Sequence, residues 1–135
     1  MEVDISDLMP GQSRTVAWQG RHLYIVRRSP NSKALRFGDD DLKDPHSSAS
    51  NQPGFASNTW RSRKPDLFIV YKNCTHLGCE VRLEQGSEDM GFECPCHRSE
   101  FDQAGRVHKE SVASFNLEVP DYQYLSRNII KLVKS

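Results

Sequence analysis

All four cysteines of this chain lie in two short segments, Cys74-Thr75-His76-Leu77-Gly78-Cys79 and Cys94-Pro95-Cys96-His97. Thiols gathered this tightly point to a metal, a disulfide or both. Each segment also carries a histidine, so the two together offer six donor side chains. The rest of the chain needs such a staple. Only 36% of its 135 residues are hydrophobic, low for a globular protein, which implies a small core and exposed loops. That length accommodates one domain, residues 1–135, and would cramp two.

Charge narrows the function further. Lys plus Arg and Asp plus Glu are each 18, so there is no electrostatic footprint for nucleic acid. No apolar run approaches the roughly 18 residues that span a bilayer; the longest is Leu67 to Tyr71. Met1-Glu2-Val3-Asp4 lacks the basic and apolar regions of a signal peptide. The chain therefore reads as a soluble protein, or as a soluble piece of a longer one.

The hydrophobic pattern is that of short strands. Arg14 to Trp18 alternates, Gly20 permits a turn, and His22 to Arg28 contains the β-rich run Leu23-Tyr24-Ile25-Val26, which together predict a hairpin. From about 30 to 60 the pattern dissolves into loop material, including Asp39-Asp40-Asp41 and Asn51-Gln52-Pro53-Gly54, with one short helical turn expected at Lys33 to Phe37. A connection this long is uncommon in a compact domain and marks a functional or mobile excursion. Asp66 to Tyr71 reads as a strand buried on both faces. Glu80 to Leu83 alternates weakly, Glu84 to Met90 is a polar turn, and Gly91 to Glu93 is a short strand. Val107, Phe115 to Val119, Tyr122 to Leu125 and Asn128 to Val133 offer further strands. Many short strands with close turns predict an all-β antiparallel sandwich or small barrel.

A tetrahedral zinc site needs four ligands, usually on Cys-x2–4-Cys knuckles. Here the first two cysteines are five apart with a histidine between them, and the second segment is Cys-x-Cys-His. Neither is a standard knuckle, and six donors exceed what one zinc needs. A zinc-stabilised interaction module stays as the reading from a different class.

The two segments resemble those of the Rieske iron–sulfur subunits of cytochrome bc complexes, especially the bacterial ubiquinol–cytochrome c reductase type. The likeness extends through Ser99, Asp102, Gly105-Arg106-Val107, Asn116-Leu117 and Val119-Pro120, and to the opening Leu8-Met9-Pro10-Gly11-Gln12. In such a centre two histidines replace two cysteines on one iron of a [2Fe–2S] cluster. The resemblance implies that Cys74 and Cys94 bind one iron and His76 and His97 the other. It implies that Cys79 and Cys96 form a disulfide joining the two loops, and hence an oxidising compartment. Oxygenase- and ferredoxin-type relatives usually lack that second cysteine pair. A cluster-binding lobe of about 71–116 on a base of strands is the architecture expected.

The same resemblance implies one-electron transfer from quinol toward a cytochrome c-type acceptor, alongside cytochrome b, with proton coupling at His76 or His97. It places the full-length protein at the periplasmic face of the bacterial inner membrane, anchored by a helix absent from this chain. Leu77, between ligands, is expected to shield the cluster from water. A Rieske subunit of another oxidoreductase, with a different electron donor, is the alternative within the family. Three departures from the family pattern bear on this. The usual Gly-Ser-x-Tyr-Asp reads Arg98-Ser99-Glu100-Phe101-Asp102, so Ser99 is retained but the tyrosine hydroxyl is missing. Arg98 stands where glycine is usual. The proline-rich cover loop appears as Glu110-Ser111-Val112-Ala113-Ser114, without its glycine and prolines, and is expected to be less rigid.

Overall fold

A computed structural model describes residues 1–28, 38–75, 79–83, 91–96 and 98–134. The expected hairpin forms as β2 (Ser13–Trp18) and β3 (Arg21–Arg27), paired antiparallel from Ser13 opposite Val26 to Trp18 opposite Arg21. Gln19 and Gly20 close it with φ of 51° and 77°, the left-handed pair that lets a two-residue turn follow the strands' twist. β4 (Leu67–Tyr71) adds to β3 on its other edge.

All five residues of β4 are buried, and the reason lies in what covers each face. Successive strand side chains point to opposite sides of a sheet. Leu67, Ile69 and Tyr71 share one core with Leu23, Ile25, Ile5, Tyr122 and Ile130, whereas Phe68 and Val70 share another with Cys74, Val81, Phe92, Cys94, Phe101 and Leu117. The β2–β3–β4 sheet is thus a middle layer. A base sheet lies on one side, made of β1 (Glu2–Asp4), β9 (Ile129–Leu132) and β8 (Tyr122–Ser126) in that order. On the other side is a small sheet of β5 (Arg82–Leu83), β6 (Phe92–Glu93) and β7 (Glu100–Phe101). All pairings are antiparallel. Helix among the described residues is limited to single 3-10 turns at Asp39–Asp41 and Gly54–Ala56, so the all-β class holds.

Three differences from the sequence reading have physical causes. Phe115 to Val119 forms no strand. The Leu117 amide donates to Gly105 O at 2.8 Å, Glu118 O accepts from the Tyr71 amide at 2.9 Å, and the Val119 amide donates to Asn51 O at 3.2 Å. Its bonds go to three separate segments, so no ladder builds. β1 and β7 were not anticipated: each is very short and is defined by its partner strand. The triple aspartate makes one 3-10 turn rather than irregular loop. The expected helical turn at Lys33 to Phe37 and the polar turn at Glu84 to Met90 lie outside the described residues.

The excursion is packed along its described course. Leu42 bridges to His108, and the Lys43 amide donates to Val107 O at 3.2 Å. The Asn116 carboxamide donates to Asp44 O at 2.8 Å and Ser47 Oγ at 2.9 Å, while the Asn116 amide donates to Ser50 Oγ at 2.9 Å. Segment 42–51 therefore backs the segment 106–119.

Candidate metal centre

Each cysteine segment sits at the end of a short antiparallel pair. The first leaves β4 and returns toward β5: Asn73 bridges Glu80, and the Val81 amide donates to Lys72 O at 2.7 Å. The Cys74 amide closes the tip by donating to Cys79 O at 2.6 Å. The second lies between β6 and β7 and closes the same way, the Cys94 amide donating to Ser99 O at 2.8 Å. In both tips the opening residue is a cysteine bonded to the residue five positions on. His76 and His97 fall, in sequence, between these closing residues; with Leu77 they lie outside the described residues.

Cys79 and Cys96 form a disulfide with Cα atoms 6.5 Å apart, so the two tips are covalently tied. Cys74 and Cys94 stay outside it as thiols, 3% and 1% exposed. They belong to one apolar cluster with Val81, Leu83, Phe92, Phe101 and Ala113. Two soft donors buried in one apolar cluster, one per tip, suit an iron–sulfur centre, since thiolate is the usual ligand and burial is one of the factors that set its potential. This donor pair fits the cluster that the sequence resemblance implies.

Ser99 and Phe101 are fully buried next to these cysteines. Ser99 Oγ accepts from the Ala113 amide at 3.1 Å, which uses a lone pair and leaves the hydroxyl hydrogen as a donor. Phe101 pairs with Phe92 across β6 and β7. Arg98 has φ of 56°, in the left-handed region where glycine is at ease and a long side chain is strained.

The cover loop is held although its prolines are missing. The Glu100 amide donates to Ser111 Oγ at 2.9 Å, and the Ser111 amide donates to His108 O at 3.0 Å. Lys43 donates from its ammonium to Ser111 O at 2.5 Å and Ala113 O at 2.7 Å, and Thr75 donates from its hydroxyl to Phe115 O. Lys43 escaped the sequence reading because a lone lysine in a polar stretch carries no signal of its own.

Behind the site lies a buried charged group that composition did not reveal. Asp102 accepts from the Arg106 guanidinium at 2.8 Å and from the amides of Ala104 and Arg106. Burial raises the Asp102 carboxyl, and Arg106 opposes that rise. Arg61 is fully buried and donates to Ala104 O at 3.0 Å, and burial lowers its guanidinium to about 10. Arg28 donates to Trp60 O, Pro65 O and Gln103 O, and burial lowers it to about 9. These side chains bracket the Asp102–Arg106 turn, where Gly105 has φ of +69°. A Cβ there would sit 3.1 Å from that of Leu117 and 3.3 Å from the Arg61 guanidinium.

Three antiparallel layers with two disulfide-tied tips, each opening on a buried thiol, define an all-β iron–sulfur protein. The Rieske [2Fe-2S] domain model matches residues 1–121. The chain is 42% identical over 139 residues to the ubiquinol–cytochrome c reductase iron–sulfur subunit of Allochromatium vinosum, covering 96% of this chain and 67% of that protein. It is 37% identical over 130 residues to the mitochondrial cytochrome b-c1 complex subunit Rieske-1 of Nicotiana tabacum, covering 95% of this chain and 46% of that one. It thus spans about two thirds of the length of the first relative and less than half of the second. Among solved structures it shares the fold of a chain of a hyperthermophilic respiratory Complex III (TM-score 0.60, 23% identity, 96% of this chain and 72% of that one). It also shares the fold of a plasma membrane Rieske protein of Synechocystis PCC 6803 (TM-score 0.51, 20% identity, 91% and 86%). The chain belongs to the Rieske [2Fe–2S] family, and its cofactor is a [2Fe–2S] cluster. No helix among the described residues is long and apolar enough to cross a membrane.

Proposed function

We propose that Cys74 and Cys94 ligate one iron, that His76 and His97 ligate the other, and that the chain carries single electrons from ubiquinol toward a cytochrome c-type acceptor beside cytochrome b. The observation that carries this is the pairing of roles among the cysteines: two bonded to each other across the tips, two buried and left as thiols. The names of the relatives from Allochromatium vinosum and Nicotiana tabacum support the assignment to a cytochrome bc complex. In the full-length protein we place this domain at the periplasmic face of the bacterial inner membrane, tethered by an N-terminal helix.

When bound, a mixed-ligand cluster accepts and returns one electron at about −150 to +300 mV, against roughly −400 mV for all-cysteine plant ferredoxins. The residues of the chain supply the rest. Cys74 and Cys94 would bind from a buried apolar cluster, the Ser99 hydroxyl hydrogen would be free to donate toward the group, and the Cys79–Cys96 link ties the two tips together. The two histidines are the ring-nitrogen groups that would carry the proton accompanying the electron.

Iron and sulfide analysis with EPR of the reduced protein tests the ligand set. Two irons and two sulfides per chain with the mixed-ligand signal are expected; one zinc and no signal would sink it. Arg98 at the second tip and the proline-free cover loop favour one further reading, a Rieske subunit taking electrons from a different donor. A high midpoint potential that falls as pH rises supports the quinol route, and a low, pH-independent one supports the other.

A further inference from the structure

We propose that Lys43 is a positioning residue that clamps the proline-free cover loop over the cluster site and, through that loop, fixes the Ser99 hydroxyl. The proposal rests on the ligand set above. Lys43 grips two alternate carbonyls of the loop, Ser111 O and Ala113 O, with one ammonium. The same two residues hold the strand beyond the second tip with their other polar groups. The Ala113 amide donates to Ser99 Oγ, and Ser111 Oγ accepts from the Glu100 amide. Val112, between them, points outward at 51% exposure. One cation thus sets the spacing of a loop whose inward face is the Ser99 contact.

The clamp stands on a rigid base. The Lys43 amide is tied to Val107 O, and Leu42 bridges His108. The Asp44 carboxylate accepts from the Ser48 amide, the Ala49 amide and the Ser50 hydroxyl. Charge-assisted bonds from such a base are about twice as strong as neutral ones. Proline would restrict the loop through its own φ; here a cation from a distant segment restrains it from outside. The long excursion thereby gains a purpose, since it delivers Lys43 to the loop. Ser99 and Ala113 are both fully buried, so any loosening changes how Ser99 donates toward the cluster, and outer hydrogen bonds of this kind tune potential.

The test uses the cluster-loaded protein with Lys43→Met, which keeps the stem and removes the charge, and Lys43→Arg, which keeps the charge. Lys43 is exposed, so both variants retain the core. Lys43→Met is expected to speed amide exchange at Ala113 by about tenfold, the scale of one charge-assisted bond, while the β4 amides hold their protection. Its midpoint potential is expected to fall, and Lys43→Arg to recover most of both changes. Unchanged Ala113 exchange, an unchanged potential, or acceleration spread equally over β4 would each overturn the clamp. A wild-type protein without the mixed-ligand EPR signal would instead overturn the ligand set, and Ala113 exchange would still report on the loop.

Discussion

At position 101 a ring without a hydroxyl packs beside two buried cysteines, where the family pattern has tyrosine. Adding the hydroxyl offers a sulfur one more hydrogen bond, and such bonds favour the reduced, more negative state. Phe101→Tyr should raise the midpoint potential by about 60 mV, the one-electron equivalent of a hydrogen bond worth about 1.4 kcal/mol. A redox titration that shows no rise counts against the placement of Phe101. Position 98 poses a backbone question. Its φ of 56° suits glycine, so Arg98→Gly should stabilise the fold by about 1 kcal/mol, read as a higher midpoint in urea. Chemistry made the cysteine pairing legible in the sequence: residue type and spacing single out the six donors, and the structure bonds Cys79 to Cys96 and buries Cys74 and Cys94. Strain at Arg98 was legible only as a missing glycine. The buried state of Arg28 and Arg61 was not legible at all, since nothing local distinguishes an arginine with internal carbonyl partners from one in water.

The longer ladder strands were readable; β1 and β7, which are set by their partner strands, and the segments ordered by side chains were not. The β2–β3 hairpin and β4 follow from alternation and from an unbroken apolar run. Segment 38–60 shows no period because its order comes from short backbone turns and from the side chains of Asp44, Ser50 and Asn58, which leave no hydrophobic rhythm. Asp44 is its anchor. Burial alone would raise its carboxyl, but the Ser50 hydroxyl and the amides of Ala49 and Ser48 hold it below the ordinary value of 3.8. A carboxyl lowered in the folded state contributes stability that is present above that value and is lost as pH falls through the folded value. Asp44→Asn turns one accepting oxygen into a donor facing other donors. It should cost about 1–3 kcal/mol at pH 7, and the gap between the two proteins in urea unfolding should narrow as pH drops below 3.8. A gap that stays constant with pH would show that the Asp44 charge does not anchor the excursion.

Across the whole molecule, the middle sheet is covered twice, by the base sheet and by the small sheet that carries the second tip. The first tip springs from β4 in the middle layer and the second from β6 in the outer one. Among the described residues, two-residue strands hold that outer layer together, which is too little ladder to fix one tip against the other unaided. The Cys79–Cys96 bond does this from a sequence separation of 17. In the chain-entropy picture a loop of that size is worth about 3 kcal/mol. Cys79→Ser combined with Cys96→Ser should therefore lower stability by about 3 kcal/mol in the cluster-free protein, measured by urea unfolding. In the loaded protein the same pair should speed iron loss to a chelator, because in the proposed ligand set each tip supplies half of the donors and the two can now part. The base sheet shares no residue with that outer core, so amide protection at Ile130 should fall less than at Phe92. Equal losses at both positions would mean that the three layers open as one unit and that the disulfide braces the entire fold rather than the junction of the two tips.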